Sequence, residues 1–334
     1  MRWKRRPEGS NWGDFGPDDQ IGRMNLLTPK RRLAAVREVT EGLAFTLSLP
    51  LDHTGADNPM RKPPRLFAEV VEGDPAYNQT LRIGDAATCD VMCDDAVTLY
   101  TQYSTQWDSL AHWGQQFDAD GDGVAEKVYY NGYRAGEHLV APAGAHGPAA
   151  HALGIERLAS AGVQGRGVLV NLKAIYGTER RWIGHDELMR AIDAQRIEVR
   201  PGDFLLLHTG YAEAILAQGP VPDMAVLDRT GAVLDGRDPR LLDWIDASGI
   251  VAICADTVAV EGYDWANPPR DGSTMLPIHE LCLFKLGIHL GELWDLHDLA
   301  DWLLAHDRHA CLLTAPPLRL PGAVGSPVTP IATV

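Results

Sequence analysis

The chain has 334 residues, of which 45% are hydrophobic and 22% charged, and 45 acidic against 30 basic side chains give a net charge of −15. This balance is typical of a globular protein that buries a large core. The acidic excess, with no basic run beyond residues 2–6, argues against nucleic-acid binding. Without an apolar run of about 18 residues, no membrane span is predicted. The N-terminus lacks the apolar core of a signal peptide, so a cytoplasmic protein is expected.

Residues 1–43 are predicted to form an N-terminal extension with one helix. Thr28 is placed as the N-cap, Pro29 as the first helical residue and Gly42 as the end. The buried face is predicted to consist of the apolar residues at helical spacing, Leu33, Val36 and Val39. Strands are predicted at 44–51 and 65–72. The loop 58–64 between them, rich in Pro, Arg and Lys, is a candidate lid or partner contact.

The segment after the predicted strand at 96–100 contains polar side chains that are suited to catalysis or ligand binding. They are two amides, one carboxylate and one imidazole: Gln102, Gln106, Asp108 and His112. All four have even numbers, so an extended backbone would place them on one face. This grouping indicates a functional site. The alternative is a polar strand facing solvent, which the tryptophans at 107 and 113 argue against.

Residues 117–123 resemble the first half of a calcium loop, with acids at Asp118, Asp120 and Asp122. The position that should carry the last acid is Tyr129, so a hairpin turn is the preferred interpretation and calcium the alternative. Three further histidines match no standard metal motif and are interpreted as surface or packing residues: His138, His146 and His151.

From residue 165 onward, short apolar strands alternate with helices. Strands are predicted at 168–172, 204–208, 250–254, 288–294 and 310–314, and helices at 186–197, 212–217, 239–249, 277–286 and 296–305. Continuous apolar strands separated by helices predict an α/β sheet that is buried on both faces. No linker is evident, so residues 1–334 are expected to form one domain with its core at 44–334. Phosphate-binding loops and the Gly-x-Ser-x-Gly nucleophile motif are absent from the sequence.

The polar segment resembles the signature of the cyclase-like metal hydrolases, a family that includes bacterial kynurenine formamidase and isatin hydrolase. That signature is His-x-Gly-Thr-His-x-Asp-x-Pro-x-His, and the chain has Gln-Tyr-Ser-Thr-Gln-Trp-Asp-Ser-Leu-Ala-His in the same frame. Thr105, Asp108 and His112 match, whereas Gln102 and Gln106 stand at two metal-binding histidines of the family. The Thr-Gln-Trp-Asp core marks a variant branch. The resemblance continues through 205–210, 255–257 and 279–292.

The resemblance implies a swivelling β/β/α fold, with a mixed sheet and flanking helices, in a homodimer or higher homo-oligomer. It also implies that His279 and Glu292 match late metal ligands of the family. With Asp108, and with Gln106 and Gln102 as weaker donors, they would hold a divalent ion, manganese or zinc. The structural alternatives are a packing role for His279 and a surface position for Glu292.

The implied activity is hydrolysis of a small molecule, a cyclic or aryl amide, imide or lactone. A divalent ion would activate water and polarise the carbonyl, and His112 would transfer the proton as general acid/base. Thr105, Trp107 and Trp113 are the expected substrate contacts. Two alternatives stay open: a metal-free lyase or cyclase that uses Asp108 and His112 as an acid/base pair, and a non-catalytic small-molecule-binding homologue.

Overall fold

A mixed β-sheet lies at the centre of the computed structural model, which describes residues 2–71, 73–84, 86–143 and 147–334. Nine strands from these ranges form the sheet. In chain order they are β1 (Ala44–Thr46), β2 (Gln106–Asp108), β3 (Gln164–Asn171), β4 (Phe204–His208), β5 (Ala252–Ala255), β6 (His289–Glu292), β7 (Ala310–Thr314), β8 (Gly325–Pro327) and β9 (Ile331–Thr333).

The order of the strands across the sheet is β1-β9-β7-β3-β4-β5-β6-β2-β8. The four central strands β3 to β6 run parallel to one another. The outer strands pair antiparallel on both sides. Parallel neighbours need long crossover connections, which the helices between these strands provide. The predicted α/β class with a mixed sheet and flanking helices is therefore confirmed.

The central strands are buried on both faces, as their continuous apolar sequence predicts. Every residue of β4 is buried. Leu205 and Leu207 belong to one hydrophobic core, whereas Phe204 and Leu206 belong to a second. Because successive side chains of a strand point to opposite faces, the two cores lie on opposite sides of the sheet.

Helices cover the sheet close to the predicted positions. In the described ranges they are α1 (Pro29–Ala35), α2 (Ile155–Ser160), α3 (Leu172–Tyr176), α4 (His185–Ala194), α5 (Tyr211–Gln218), α6 (Met224–Leu227), α7 (Pro239–Ser248), α8 (Pro277–His279) and α9 (His297–Ala305). A π-helical stretch, Glu280–Leu286, continues α8, and 3-10 turns span Gly22–Leu26, Val36–Glu38 and Tyr130–Gly132. Among the described helices, none has the length and apolar character needed to cross a bilayer.

The N-terminal helix begins where the sequence predicts but buries a different face. Thr28 caps it by accepting from the backbone N–H of Arg31. The α-helix ends at Ala35, well before Gly42, and Leu33 and Val36 are 69% and 51% exposed. The predicted apolar face was wrong because the small Ala35 is the buried side chain, at 0% exposure.

Two-stranded ribbons lie outside the central sheet. They pair Arg65–Phe67 with Ala96–Thr98, Val70–Val71 with Asp74–Pro75, Gln79–Ile83 with Ala86–Met92, Gln115–Phe117 with Glu126–Val128, Leu139–Val140 with Ala149–Ala150, and Arg181–Ile183 with Ala232–Leu234. The predicted strand at 65–72 is thus two shorter strands, and Glu72 lies outside the described residues. His146 also lies outside them.

The turn predicted after Trp113 is confirmed as a hairpin between Gln115–Phe117 and Glu126–Val128. The carboxylate of Asp118 accepts backbone N–H groups of Gly121, Asp122 and Gly123 and an N–H of Arg5. These bonds hold the tight turn together, since side-chain carboxylates can satisfy turn N–H groups.

We expect Leu33→Ser to change the free energy of unfolding by less than about 0.5 kcal/mol, because replacing an exposed side chain removes few packing contacts. Ala35→Leu should lower it by about 1–3 kcal/mol, because a larger side chain must fit into a filled site. Urea denaturation followed by circular dichroism measures both. A larger loss for Leu33→Ser than for Ala35→Leu would contradict the observed orientation of α1.

Candidate functional site

Three ionisable side chains from distant parts of the chain meet on one face of the central sheet. Asp108 lies on β2, Glu292 on the adjacent β6, and His279 at the end of α8. One ligand atom from each lies within 4.8 Å of those of the other two. All three are buried, with 0%, 4% and 2% exposure. Burying ionisable groups together is costly unless they are paired or bind a charged partner.

The register of β2 against β6 explains why the two carboxylates are neighbours. Gln106 pairs with Glu292, and Asp108 pairs with Leu290. The side-chain amide of Gln106 donates to Glu292 Oε2 at 3.0 Å and to Asp108 Oδ1 at 3.5 Å. The predicted common face is thus found for Gln106 and Asp108, which alternate along the strand.

The other two members of the predicted face lie in turns on either side of β2. His112 approaches from beyond it, with Nε2 3.9 Å from Asp108 Oδ1. Gln102 lies before it, and a Cβ at Gly325, the residue opposite Asp108 on β8, would clash with Gln102 Nε2. Strand alternation does not place these two residues, because the strand spans only three residues; both reach the surroundings of Asp108 from turns.

Two buried oxygens of this group have no hydrogen-bond partner among the described residues. They are Asp108 Oδ2 and Gln106 Oε1. Buried acceptors are normally paired, so each unpaired atom calls for an explanation. Carboxylate and amide oxygens together with one imidazole form a donor set that divalent cations accept. These residues therefore fit a divalent metal ion.

A buried carboxylate that the sequence analysis missed holds His279 in place. Glu261 is fully buried, and its Oε1 lies 2.8 Å from His279 Nδ1 and accepts the backbone N–H of His279. Its Oε2 accepts the backbone N–H of Ile278 at 2.9 Å. His279 Nε2 is left facing Glu292 Oε1 at 3.5 Å. Proteins commonly orient a metal-binding histidine by a carboxylate that accepts the N–H of the ring nitrogen not used for the metal.

The charges of the group shift its pKa values in opposite directions. Burial and the neighbouring Glu292 raise the pKa of Asp108 well above its usual range. Burial opposes ionisation of Glu292 as well, but the hydrogen bond and charge of His279 prevail and lower its pKa. Burial likewise lowers the pKa of His279, yet hydrogen bonds to Glu261 and Glu292 outweigh it and raise the value to about 10.

His112 behaves differently from His279 because no carboxylate lies within hydrogen-bonding distance of it. Burial and the positive charge of His279 lower the pKa of His112 to about 4. Its imidazole is therefore neutral at pH 7 and able to accept a proton, as a general base requires.

Of the three expected substrate contacts, Trp113 lies at the site. Its indole meets the ring of His279 edge-on, with ring centroids 5.3 Å apart. Within the described part of the chain, its buried Nε1–H has no acceptor.

Trp107 and Thr105 have structural roles instead, so their prediction as substrate contacts was wrong. Trp107 points to the opposite face of the sheet, where it is fully buried against Trp294 and donates to the carbonyl of Ala315. The hydroxyl of Thr105 accepts the N–H of Leu49 and donates to the carbonyl of Leu293. Strand alternation separates Trp107 from Gln106 and Asp108.

A cavity of about 650 Å³ opens at α8, where Pro277 and Glu280 line it. Its lining includes neighbours in sequence of Glu261 and His279, together with aromatic side chains from other segments: Gly262, Tyr263, Pro277, Trp182 and Phe117. The metal-fitting residues do not line it. The cavity has the volume of a small-molecule pocket, and the flanking residues of His279 are its link to the polar cluster.

Comparisons with known proteins agree with this architecture. The Cyclase family model, described as "Putative cyclase", matches residues 45–262, more than half of the chain. The crystal structure of a novel cyclase is similar over 97% of this chain and 99% of that one, at 32% identity and a TM-score of 0.77. The comparison with curated proteins gives no match.

More distant structures share the fold. Isatin hydrolase A from Ralstonia solanacearum is similar over 91% of this chain and 97% of its own, at 13% identity and a TM-score of 0.55. An isatin hydrolase bound to the product analogue thioisatinate is similar over 92% and 99%, at 14% identity and a TM-score of 0.55. The family resemblance inferred from the sequence is confirmed.

We expect Glu261→Gln to weaken Mn²⁺ binding by about 10–100-fold, because a histidine that loses its orienting carboxylate is a poorer ligand. Isothermal titration calorimetry measures the affinity, and circular dichroism verifies folding. Glu280→Gln is the matched control, since Glu280 pairs with Lys285 instead. Equal affinities for the wild type and a folded Glu261→Gln variant would contradict the orienting role.

Proposed function

The chain belongs to the Cyclase family, and from that premise we propose that it is a hydrolase of a cyclic or aryl amide, imide or lactone. The observation that carries the proposal is the buried group of Asp108, His279 and Glu292, with two oxygens unpaired beside it. Two structural neighbours are named isatin hydrolases, and the proposal extends hydrolysis from them to this chain.

The proposed cofactor is a divalent metal ion held by Asp108, His279 and Glu292, with Gln106 contributing its amide oxygen. When bound, such an ion lowers the pKa of water to about 7 and polarises a carbonyl. Two carboxylates, one amide and one imidazole are harder donors than the histidine-rich set of the family signature. This composition favours manganese over zinc.

The other residues of the site transfer protons, orient His279 and bind the substrate. Neutral His112, with Nε2 3.9 Å from Asp108 Oδ1, accepts the proton of the attacking water and returns it to the leaving group. Glu261 keeps His279 Nε2 directed into the site. Trp113, which contacts the ring of His279, receives the apolar part of the substrate.

A metal-free lyase or cyclase is the second candidate. It is favoured by the opposite pKa shifts of Asp108, which burial raises, and His112, which burial lowers. Such a pair could supply a protonated acid and a neutral base at the same pH.

The homodimer implied by the family resemblance is also proposed here. Apolar side chains are exposed along the ribbons between residues 65 and 98: Leu66, Val70, Ile83, Val91 and Val97. Of these, Leu66 and Val97 are cross-strand neighbours, and exposed apolar surface of this kind is commonly covered in a protein interface. Light scattering of the purified chain measures its mass.

His112→Ala should lower kcat by about 10²–10⁴-fold while Mn²⁺ affinity stays unchanged, because it removes proton transfer but no ligand. A panel of cyclic amides, imides and lactones provides the substrates, and His306→Ala, at an exposed position, is the control. Turnover at the wild-type level in His112→Ala would rule out its assignment as the proton-transfer group.

Chelation separates the two candidate reactions. EDTA should abolish turnover and lower the Tm, because an ion that binds only the folded chain stabilises it. Added Mn²⁺ should restore both. Turnover that is unaffected in metal-free protein would favour the lyase or cyclase.

A further inference from the structure

The unpaired buried polar atoms around the site divide into acceptors and donors. The acceptors, Asp108 Oδ2 and Gln106 Oε1, belong to the metal-fitting group. The donors are the side-chain nitrogens of Gln102 and Trp113. A nitrogen that carries hydrogen cannot bind a cation, but it can bind an oxygen of a ligand.

Among the described residues, the side-chain amide of Gln102 has a hydrogen bond on its oxygen only. Its Oε1 accepts the hydroxyl of Thr101 at 2.8 Å, which leaves Nε2 without a partner. That nitrogen occupies the space left by the missing side chain of Gly325, directly across the strand pair from Asp108. Gln102 therefore presents a donor on the face of the sheet that carries Asp108, although the family signature has a metal-binding histidine there.

Arg61 lies against the backbone of Gln102. Its Nη1 donates to the backbone carbonyl of Gln102 at 2.8 Å. The other guanidinium N–H groups have no hydrogen-bond or ion-pair partner among the residues described. Its positive charge lowers the pKa values of Asp108, Glu292 and His112, which is consistent with a place next to the cluster.

The free N–H groups of Arg61 indicate what its guanidinium can bind. A planar guanidinium with several free N–H groups matches a carboxylate, which accepts two parallel hydrogen bonds.

We propose that Arg61 and Gln102 form a carboxylate-binding subsite, so that the substrate carries a carboxylate close to the bond that is cleaved. This inference rests on the proposed hydrolase function and narrows its substrate class. Gln102 is then a substrate-binding residue and not the metal ligand that the resemblance implies.

Benzoate and its neutral isostere benzamide serve as probes, titrated calorimetrically into the full chain at saturating Mn²⁺. We expect Arg61→Gln to weaken benzoate binding by at least about tenfold, since a charged hydrogen bond contributes about 1.5–3 kcal/mol, and to leave benzamide within about twofold. Arg65→Gln, on an exposed ribbon strand, is the matched control. Equal effects of Arg61→Gln on both probes, or no effect on benzoate, would overturn the proposal.

Gln102→Met provides a second, independent variant, since it removes the amide but keeps a side chain of similar length. It should weaken benzoate and leave Mn²⁺ affinity unchanged, whereas a loss of Mn²⁺ affinity would make Gln102 a metal ligand and overturn the proposal. The probes require no turnover. Arg61-dependent benzoate binding without hydrolysis of the substrate panel would therefore reject the hydrolase and retain the subsite.

Discussion

The antiparallel pairing of β2 with β6 places a carboxylate from each strand on the same face of the sheet, and every other feature of the site depends on it. Gln106 lies opposite Glu292 and bridges it to Asp108. A slip of one residue would turn Asp108 toward the opposite core and bring Trp107 into the site. The packing of Trp107 against Trp294, with ring centroids 5.1 Å apart, opposes such a slip. The hydrophobic core thus fixes the register that the chemistry requires.

The third member of the cluster reaches the sheet from a helix. Glu261 binds the first free N–H groups of α8 and the imidazole of His279 with the same carboxylate. Helix N-termini favour negative charge, so the helix stabilises Glu261 while Glu261 orients the histidine. Gly236 leaves room for this carboxylate, since a Cβ there would meet Glu261 Oε2 at 2.5 Å. Helix, carboxylate and imidazole consequently form one buried, hydrogen-bonded unit.

Much of this arrangement could be predicted from the sequence. Apolar strands alternating with helices predicted the α/β sheet, and alternation along β2 predicted that Gln106 and Asp108 share a face. The same alternation puts Trp107 on the other side, so its assignment to the substrate conflicted with the pattern that found the site. Glu261 belongs to no local motif, and its role arises only from contact with α8. The prediction that Leu33 is buried failed because helical spacing identifies an apolar face but not whether another element covers that face.

In the proposed site, Asp108, His279 and Glu292 bind one divalent cation. Anomalous X-ray diffraction from crystals grown with Mn²⁺ tests it most directly. The account predicts a single strong peak at about 2.0–2.6 Å from a ligand atom of each residue, the range for divalent ions in proteins. A map without a peak between these three side chains, or with manganese only at the hairpin turn of Asp118, would contradict it.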